Sequence, residues 1–192
     1  MEQNESKLIA RASAGDASAF NQLMAQHEHR MYAITLRMCK NREDAQDCLQ
    51  EAMLRVFRAI GAFKGESSFG TWVYRIAMNT CLDELRRKKK SRDTSMDALL
   101  DQGWSPPDTS ASPEGKAIQH ELRRSLHSAI NDLPEDMRAA IILRDIHGCT
   151  YDEIARALDV NVGTVKSRIS RGREKLREKI RNTEELFNTG NV

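Results

Sequence analysis

Aromatic residues make up only 5% of this 192-residue chain, and runs of β-branched residues are rare. Strands favour both kinds of residue, because such side chains fill a pleated surface. Alanine, leucine, arginine, lysine, glutamate, methionine and glutamine, which are good helix formers, occupy most of the length. The composition therefore predicts an all-α protein.

Long apolar stretches are also missing. No segment approaches the roughly 20 apolar residues needed to cross a bilayer. The polar start, residues 1–7, lacks the apolar centre of a signal peptide. We therefore expect a cytoplasmic protein with no membrane insertion of its own.

Cysteine is scarce, and the four cysteines are Cys39, Cys48, Cys81 and Cys149. They lie in segments with helical periodicity and form no CxxC pair. The sequence therefore indicates neither a zinc knuckle nor a disulfide framework. We interpret them as reduced, partly buried thiols, and we expect no cofactor and no metal ion.

Neither sign of charge dominates, since the formal net charge is only +2. The chain is therefore not an indiscriminate polyanion binder. Charge is instead segregated along the sequence. Cations concentrate in residues 86–92 and 166–181, whereas acids concentrate in residues 43–51.

The region 93–115 lacks any sustained apolar period and contains two adjacent prolines, Pro106 and Pro107. Small polar residues cannot offset the entropy of ordering, so this segment is predicted to be a flexible linker. Two small helical domains flank it, residues 1–92 and 116–182. Residues 183–192 are predicted to form a disordered tail.

Three helices are predicted in the first domain. Asp16 is placed to cap the first, whose apolar residues recur at three- and four-residue steps and form one stripe. These residues are Phe20, Leu23, Met24, Met31, Ile34 and Met38. The second helix runs from about Arg42 to Gly61. Ser67 or Ser68 can cap a third helix that continues into the basic run.

The third helix carries two different stripes. Phe69, Val73, Ile76 and Ala77 form an apolar side that faces a core. A mixed aromatic, amide and cationic stripe comprises Trp72, Arg75, Asn79, Leu82 and Arg86. Such a surface can stack on bases and contact phosphates. Alternatively, Trp72 completes the core, and spacing alone does not decide between the two interpretations.

The second domain contains a helix-turn-helix pattern. One helix begins at Leu133–Asp136 and ends by Gly148. Residues 150–153 then form a capping box, and after the turn 159–161 a further helix runs from Val162 to about Arg181. Its outward hydroxyls and cations are typical of a helix that reads DNA. The alternative is a charged, solvated amphipathic helix, which the capping box and the turn disfavour.

Two other functions fit parts of the sequence. A self-contained repressor or activator would use the same helix-turn-helix, with residues 1–92 as a sensing or dimerising domain, but no sustained heptads predict a dimer seam. An enzyme would draw on His27, His29, the acids of residues 43–51 and the four thiols. Two residues apart on a helix, the histidines do not face one another, and no phosphate loop or nucleophile elbow is present. We therefore expect a non-enzymatic protein.

Nearly the whole chain resembles the extracytoplasmic-function (ECF) group of bacterial sigma factors, within the sigma-70 family. Residues 43–51 are similar to the family's polymerase-binding helix, and residues 63–80 to its promoter-melting segment. Leu133–Glu135 and Gly163–Arg168 are similar to the domain that reads the upstream promoter element. Asn161 is a departure, because relatives often have proline before the recognition helix. We expect it to cap that helix instead.

The resemblance implies three sets of site residues. Core polymerase would bind Asp47, Gln50 and Glu51. The downstream promoter element would be captured and opened by Phe63, Lys64, Ser67, Ser68, Phe69, Trp72, Arg75, Asn79 and Arg86. The upstream element would be read by Thr164, Lys166, Ser167, Arg168, Ser170, Arg171 and Arg173. The implied partners are core RNA polymerase, promoter DNA and an anti-sigma factor, and the implied function is promoter-specific transcription initiation.

Overall fold

The computed structural model describes residues 2–92 and 125–189. The secondary structure in these ranges is helical, which confirms the all-α prediction. The chain divides into two compact units, and the main boundary between them lies in the segment between the described ranges. The predicted linker, residues 93–115, lies outside the described residues, as do residues 116–124 and 190–192. Within the described parts of the chain, no helix combines the length and apolar character that crossing a bilayer requires.

The first unit is built from helices that share one core. They are α1 (Glu2–Ser13), α2 (Ala17–Ala25), α3 (Glu28–Cys39), α4 (Arg42–Ala59), a 3-10 turn (Ile60–Ala62) and α5 (Phe69–Arg92). Helices α3, α4 and α5 pack against one another, and α1 packs against α2. Ile34, Val56 and Val73 bring α3, α4 and α5 together and are fully buried. Burial of each such side chain stabilises the unit by about 1.5–3 kcal/mol.

Two predicted caps are confirmed in this unit. The Asp16 carboxylate accepts a hydrogen bond from the Ala19 amide at 3.0 Å. The Ser68 hydroxyl oxygen accepts one from the Thr71 amide at 3.1 Å. Each satisfies a backbone N–H that has no partner within its own helix.

The first apolar stripe belongs to two helices rather than one. All six of its residues are buried, as predicted, but the chain turns at Gln26 and His27 between α2 and α3. The amide of His27 donates to the Met24 carbonyl at 2.9 Å, which closes this turn. The break lets α2 pack against α1 while α3 packs against α4 and α5. An apolar period cannot reveal such a break, because both halves bury the same kind of face.

The second unit contains the helix-turn-helix. The described part of α6 covers residues 125–131. It is followed by α7 (Glu135–Ile141), a π-helical turn (Ile142–Ile146), α8 (Tyr151–Leu158) and α9 (Val162–Thr189). Ile154 of α8, with Val165 and Ile169 of α9, is buried. Helix α9 extends beyond the predicted end near Arg181, so residues 183–189 are helical rather than a disordered tail. That segment contains no proline or glycine and holds two glutamates and a leucine, which favour helix.

Local hydrogen bonds fix the entry to both helices of this motif. The Thr150 amide donates to the Glu153 carboxylate at 2.7 Å, and the Glu153 amide donates to the Thr150 hydroxyl at 3.2 Å, which confirms the capping box. Asp159 takes a left-handed φ of 51° in the turn. The Asn161 side-chain oxygen accepts from the Thr164 amide at 2.7 Å. Asn161 therefore caps α9, as predicted.

Gly172 permits a close approach between α7 and α9. A Cβ atom at this position would lie 2.9 Å from Cγ1 of Ile141 and 3.3 Å from its Cδ1. Ile141 is buried, so it has little room to move. No local pattern predicts this contact, because a glycine inside a helix indicates only a weak helix former.

Candidate nucleic-acid interface

Three aromatic rings support the loop before α5. Ring centroids of Phe63 and Phe69 are 5.4 Å apart, nearly perpendicular, and those of Phe63 and Trp72 are 5.2 Å apart. Phe69 is 3% exposed and Trp72 is 9% exposed, whereas Phe63 is half-buried. Of the two interpretations left open for Trp72, the structure favours the core. Phe63 is therefore the ring of this cluster with surface available for stacking on a base.

The tip of this loop is exposed, and its two ends are fixed by hydrogen bonds. The Phe63 amide donates to the Ile60 carbonyl at 3.1 Å at one end, and Ser68 caps α5 at the other. Gly65 adopts a φ of 73°, a left-handed conformation that suits glycine. Lys64 is exposed and Ser67 is half-buried beside this turn. The loop can thus present Lys64 and Ser67 without a large rearrangement.

The mixed stripe predicted on the third helix lies on α5, but fewer of its residues point outward than the sequence suggested. Leu82 is buried together with Trp72, so those two members belong to the core. Arg75 and Asn79 are half-buried. Arg86 is exposed, and its Nη1 lies 3.8 Å from a carboxylate oxygen of Asp83. This side of α5 therefore alternates between packed and partly exposed positions, and of the stripe only Arg75, Asn79 and Arg86 keep exposed surface.

An acidic cleft of about 260 Å³ lies between α4 and α5. It is lined by Asp44, Asp47, Cys48, Glu51, Arg55, Thr80, Asp83, Glu84 and Arg87. Arg55 donates to Glu51 at 2.9 Å and to Asp83 at 2.8 Å, and so ties the two helices together. The hydrogen bond from Arg87 lowers the pKa of Glu84 below its usual value.

The predicted polymerase-binding residues occupy one end of a longer face of α4. Asp47 and Gln50 are exposed and Glu51 is half-buried. Leu54 and Phe57 continue the line from Asp47 and Gln50 at helical spacing, and they are 50% and 48% exposed. Phe57 also packs edge-on against Phe20, with ring centroids 5.1 Å apart, so part of its ring is covered. The exposure of Leu54 and Phe57 was not predicted, because apolar periodicity identifies the buried face of a helix and not exposed apolar residues.

One side of the N-terminal half of α9 faces solvent. Lys166, Ser167, Ser170 and Arg171 are exposed, and Thr164 is half-buried. The Thr164 hydroxyl donates to Asn161 at 3.0 Å, and the Ser167 hydroxyl donates to the Thr164 carbonyl at 2.9 Å. Within the described residues, neither Lys166 nor Arg171 has an ion-pair partner. Those two cations are therefore available to a polyanion.

Two further arginines of the predicted reading set are engaged inside the second unit. Arg168 donates to the Asp136 carboxylate at 2.6 Å. Arg173 donates to Asp145 through Nη2 at 2.5 Å and Nε at 3.1 Å, and this bidentate pair raises the pKa of the guanidinium. Both arginines thus fix α9 against the helical segment that contains α7.

Comparison with known families matches both units. Residues 23–91 match the family model "Sigma-70 region 2", and residues 123–176 match "Sigma-70, region 4". The RNA polymerase sigma-H factor of Pseudomonas aeruginosa is 37% identical over 177 residues, which cover 90% of this chain and 92% of that protein. The ECF RNA polymerase sigma-E factor of Escherichia coli K12 shows the same identity and coverage.

Solved structures share the fold. The sigma factor RpoE of Bartonella quintana, in complex with the anti-sigma factor NepR, superposes with a TM-score of 0.71 at 23% identity, covering 84% of this chain and 96% of that one. CnrH, in complex with the cytosolic domain of CnrY, superposes with a TM-score of 0.63 at 24% identity, covering 91% and 96%. With both regions matched and relatives aligned along nearly their full length, the chain belongs to the ECF group of the sigma-70 family, the non-enzymatic subunits that direct RNA polymerase to promoters.

Proposed function

We propose that this sigma factor opens promoter DNA at the downstream element with the loop 63–69 and the exposed side of α5, while α9 reads the upstream element. The observation that carries the proposal is the placement of Phe63. It is the half-exposed ring of an otherwise buried aromatic cluster, directly beside an exposed loop tip. A ring held in this way can stack on an unpaired base at little entropic cost.

The downstream residues divide into two roles. Phe63, Lys64, Ser67, Arg75 and Asn79 contact the opened strand, and Arg86 contacts phosphate on the basic end of α5. Phe69 and Trp72 hold Phe63 in place from the core, and Ser68 fixes the start of α5 through its cap. Duplex opening costs about 1.4 kcal/mol per base step, more than these few contacts supply over several steps. Core polymerase therefore shares in the opening.

For the upstream element, Lys166, Ser170 and Arg171 make the direct contacts, with Thr164 and Ser167 near the amides at the start of α9. Short hydroxyls and cations at this end of a recognition helix suit base edges and phosphates. Arg168 and Arg173 orient the helix through their carboxylate partners. This assignment separates the residues of α9 that contact DNA from the residues that orient α9.

Core polymerase docks on the face of α4 formed by Asp47, Gln50, Leu54 and Phe57, with Glu51 at its edge. The exposed leucine and phenylalanine supply apolar area, and the polar residues supply orientation. Because the sigma factor works with polymerase on the chromosome, we place it in the cytoplasm. A repressor acting alone would leave this apolar face of α4 without a role.

An anti-sigma factor is a further proposed partner. Two structurally similar sigma factors were solved with anti-sigma partners, NepR in one case and CnrY in the other. We propose that such a partner covers Leu54 and Phe57 and so competes with polymerase. A partner that covers these apolar side chains also shields them from water and from aggregation.

Permanganate footprinting of the holoenzyme tests the opening step. Phe63→Ala should reduce the reactivity of unpaired thymines by about 5- to 150-fold, since stacking on an aromatic ring contributes about 1–3 kcal/mol per base. Duplex binding, followed by gel shift, should change less than twofold. Glu66→Ala, an exposed change in the same loop, is the matched control. Undiminished opening by Phe63→Ala, or equal loss of binding and opening, would refute the proposal.

A further inference from the structure

Three cysteines from three different helices converge inside the first unit. Cys39 ends α3, Cys48 lies in α4 and Cys81 lies in α5. Their sulfur atoms all lie within 4.8 Å of one another, and Cys39 and Cys48 are 3.5 Å apart. All three are free thiols and are at most 6% exposed.

This arrangement comes close to a metal site. Zinc binds thiolate at about 2.3 Å with tetrahedral angles, which places ligand sulfurs about 3.8 Å apart. The observed sulfurs are therefore within about 1 Å of that spacing, and small rotamer adjustments bring them to it. An isolated buried cysteine acts as a small apolar group, but packing alone does not require three sulfurs to meet at one point.

The acidic cleft provides a route for a cation. Cys48 lines this cleft, so the cluster borders a cavity open to solvent. Five carboxylates and two arginines line it. The arginines pair with Glu51, Asp83 and Glu84, but the lining keeps a net negative charge, which attracts cations.

We propose that Cys39, Cys48 and Cys81 form a three-thiolate binding site for a thiophilic d10 cation of the Zn²⁺ class. An all-sulfur ligand set selects such soft ions over Mg²⁺ and Ca²⁺, which prefer oxygen. On binding, three thiols release three protons to solvent and three metal–sulfur bonds form, with no change of oxidation state. The ion joins α3, α4 and α5 at one point and braces the helices that carry the candidate polymerase and melting surfaces. The binding itself does not depend on those functional assignments.

Cobalt is the spectroscopic probe for this site. The reduced full chain, titrated with Co²⁺, should develop a thiolate-to-cobalt charge-transfer band that saturates at one ion per chain. Zn²⁺ should abolish the band, and excess Mg²⁺ should not. Because the ligands must lose protons, affinity should fall as the pH is lowered. A wild-type chain without this band would overturn the proposal.

Variants assign the ligands. Cys48→Ala should weaken Co²⁺ binding by at least about 100-fold, as should Cys39→Ala, since each removes one of three metal–sulfur bonds. Cys149→Ala is the matched control, because Cys149 is also a buried free thiol but lies in the second unit. It should leave the titration unchanged. An unaltered band in Cys48→Ala, or its loss in Cys149→Ala, would contradict the assignment.

Hydrogen exchange of the wild-type chain provides a measurement that needs no variant. With Zn²⁺ at about 100 times its dissociation constant, amides of α3, α4 and α5 that exchange through unfolding should slow by about 100-fold. Amides of α7 and α9 should not change. Equal rates in α3, α4 and α5 with and without Zn²⁺ would refute a site at this position, even if a variant failed to fold.

Discussion

Replacing Gly172 by alanine tests the close packing of α7 and α9. The new Cβ would lie 2.9 Å from Cγ1 of Ile141, a distance that packed carbon atoms do not tolerate. The obstructing atom belongs to a buried, branched side chain rather than to a flexible end, so the helices must shift. Overpacking of this kind costs about 1–3 kcal/mol.

A second effect acts in the opposite direction. Alanine is about 1 kcal/mol more favourable than glycine in a helix interior. Subtracting this gain from the middle of the overpacking range leaves a net destabilisation of about 1 kcal/mol. Amides of α7 and α9 that exchange through unfolding should therefore exchange about fivefold faster in Gly172→Ala.

Hydrogen exchange followed by mass spectrometry measures this change within the full chain, with α3–α5 as the internal reference. The matched control is Gly172→Ala in an Ile141→Ala background, which lacks both Cγ1 and Cδ1. There the helix preference acts alone, and Gly172→Ala should slow exchange instead. Slower exchange in the otherwise native chain would show that the steric reasoning is wrong.

Three further predictions concern function and pH. Arg171→Ala should lower the slope of log affinity against log salt for upstream-element DNA by about 0.9, because one fewer counterion is released on binding. Arg173→Ala should lower this slope less, because Arg173 is ion-paired with Asp145. Equal slopes for the two variants would contradict the division of roles. Leu54→Ala should weaken polymerase binding about tenfold, since losing the burial of such a side chain costs about 1.5 kcal/mol. Competition with the labelled native chain for core polymerase measures this affinity. Unchanged affinity would remove Leu54 from the docking face. Burial raises the pKa of the Cys149 thiol from 9.0 to about 11, so its contribution to stability is present below pH 9 and is lost as the pH rises toward 11. Cys149→Ala should flatten this part of the curve of unfolding free energy against pH, and parallel curves would refute it.

Family membership decides between the functions that the sequence left open. The repressor hypothesis relied on the helix-turn-helix. The enzyme hypothesis relied on His27, His29 and the acids of residues 43–51. The contacts of His27 are structural: its ring centroid lies 5.4 Å from that of Phe69, its Nδ1 is 3.3 Å from the Tyr74 hydroxyl, and its Nε2 is 3.5 Å from the Glu5 carboxylate. Sigma factors act with polymerase and have no catalytic activity of their own. The residue assignments for DNA and polymerase stay predictions until they are tested.

Much of the fold could be read from the sequence because it depends on neighbours within one helical turn. The caps of Asp16, Ser68 and Asn161 and the Thr150–Glu153 box are such features, and all four are observed. The apolar periods likewise identified buried side chains such as Leu23, Ile34 and Val73, although Ile76 is only half-buried. These interactions need no knowledge of where other helices lie.

Tertiary structure alone decided the features that join distant segments. Cys39 and Cys81 are far apart in sequence, and no local pattern indicates that their sulfurs meet beside Cys48. The same holds for the burial of Trp72 and for the contact between Gly172 and Ile141. Each depends on how closely two helices approach and at which rotation. Those quantities are set by the packing of whole faces, and the periodicity of a single helix does not contain them.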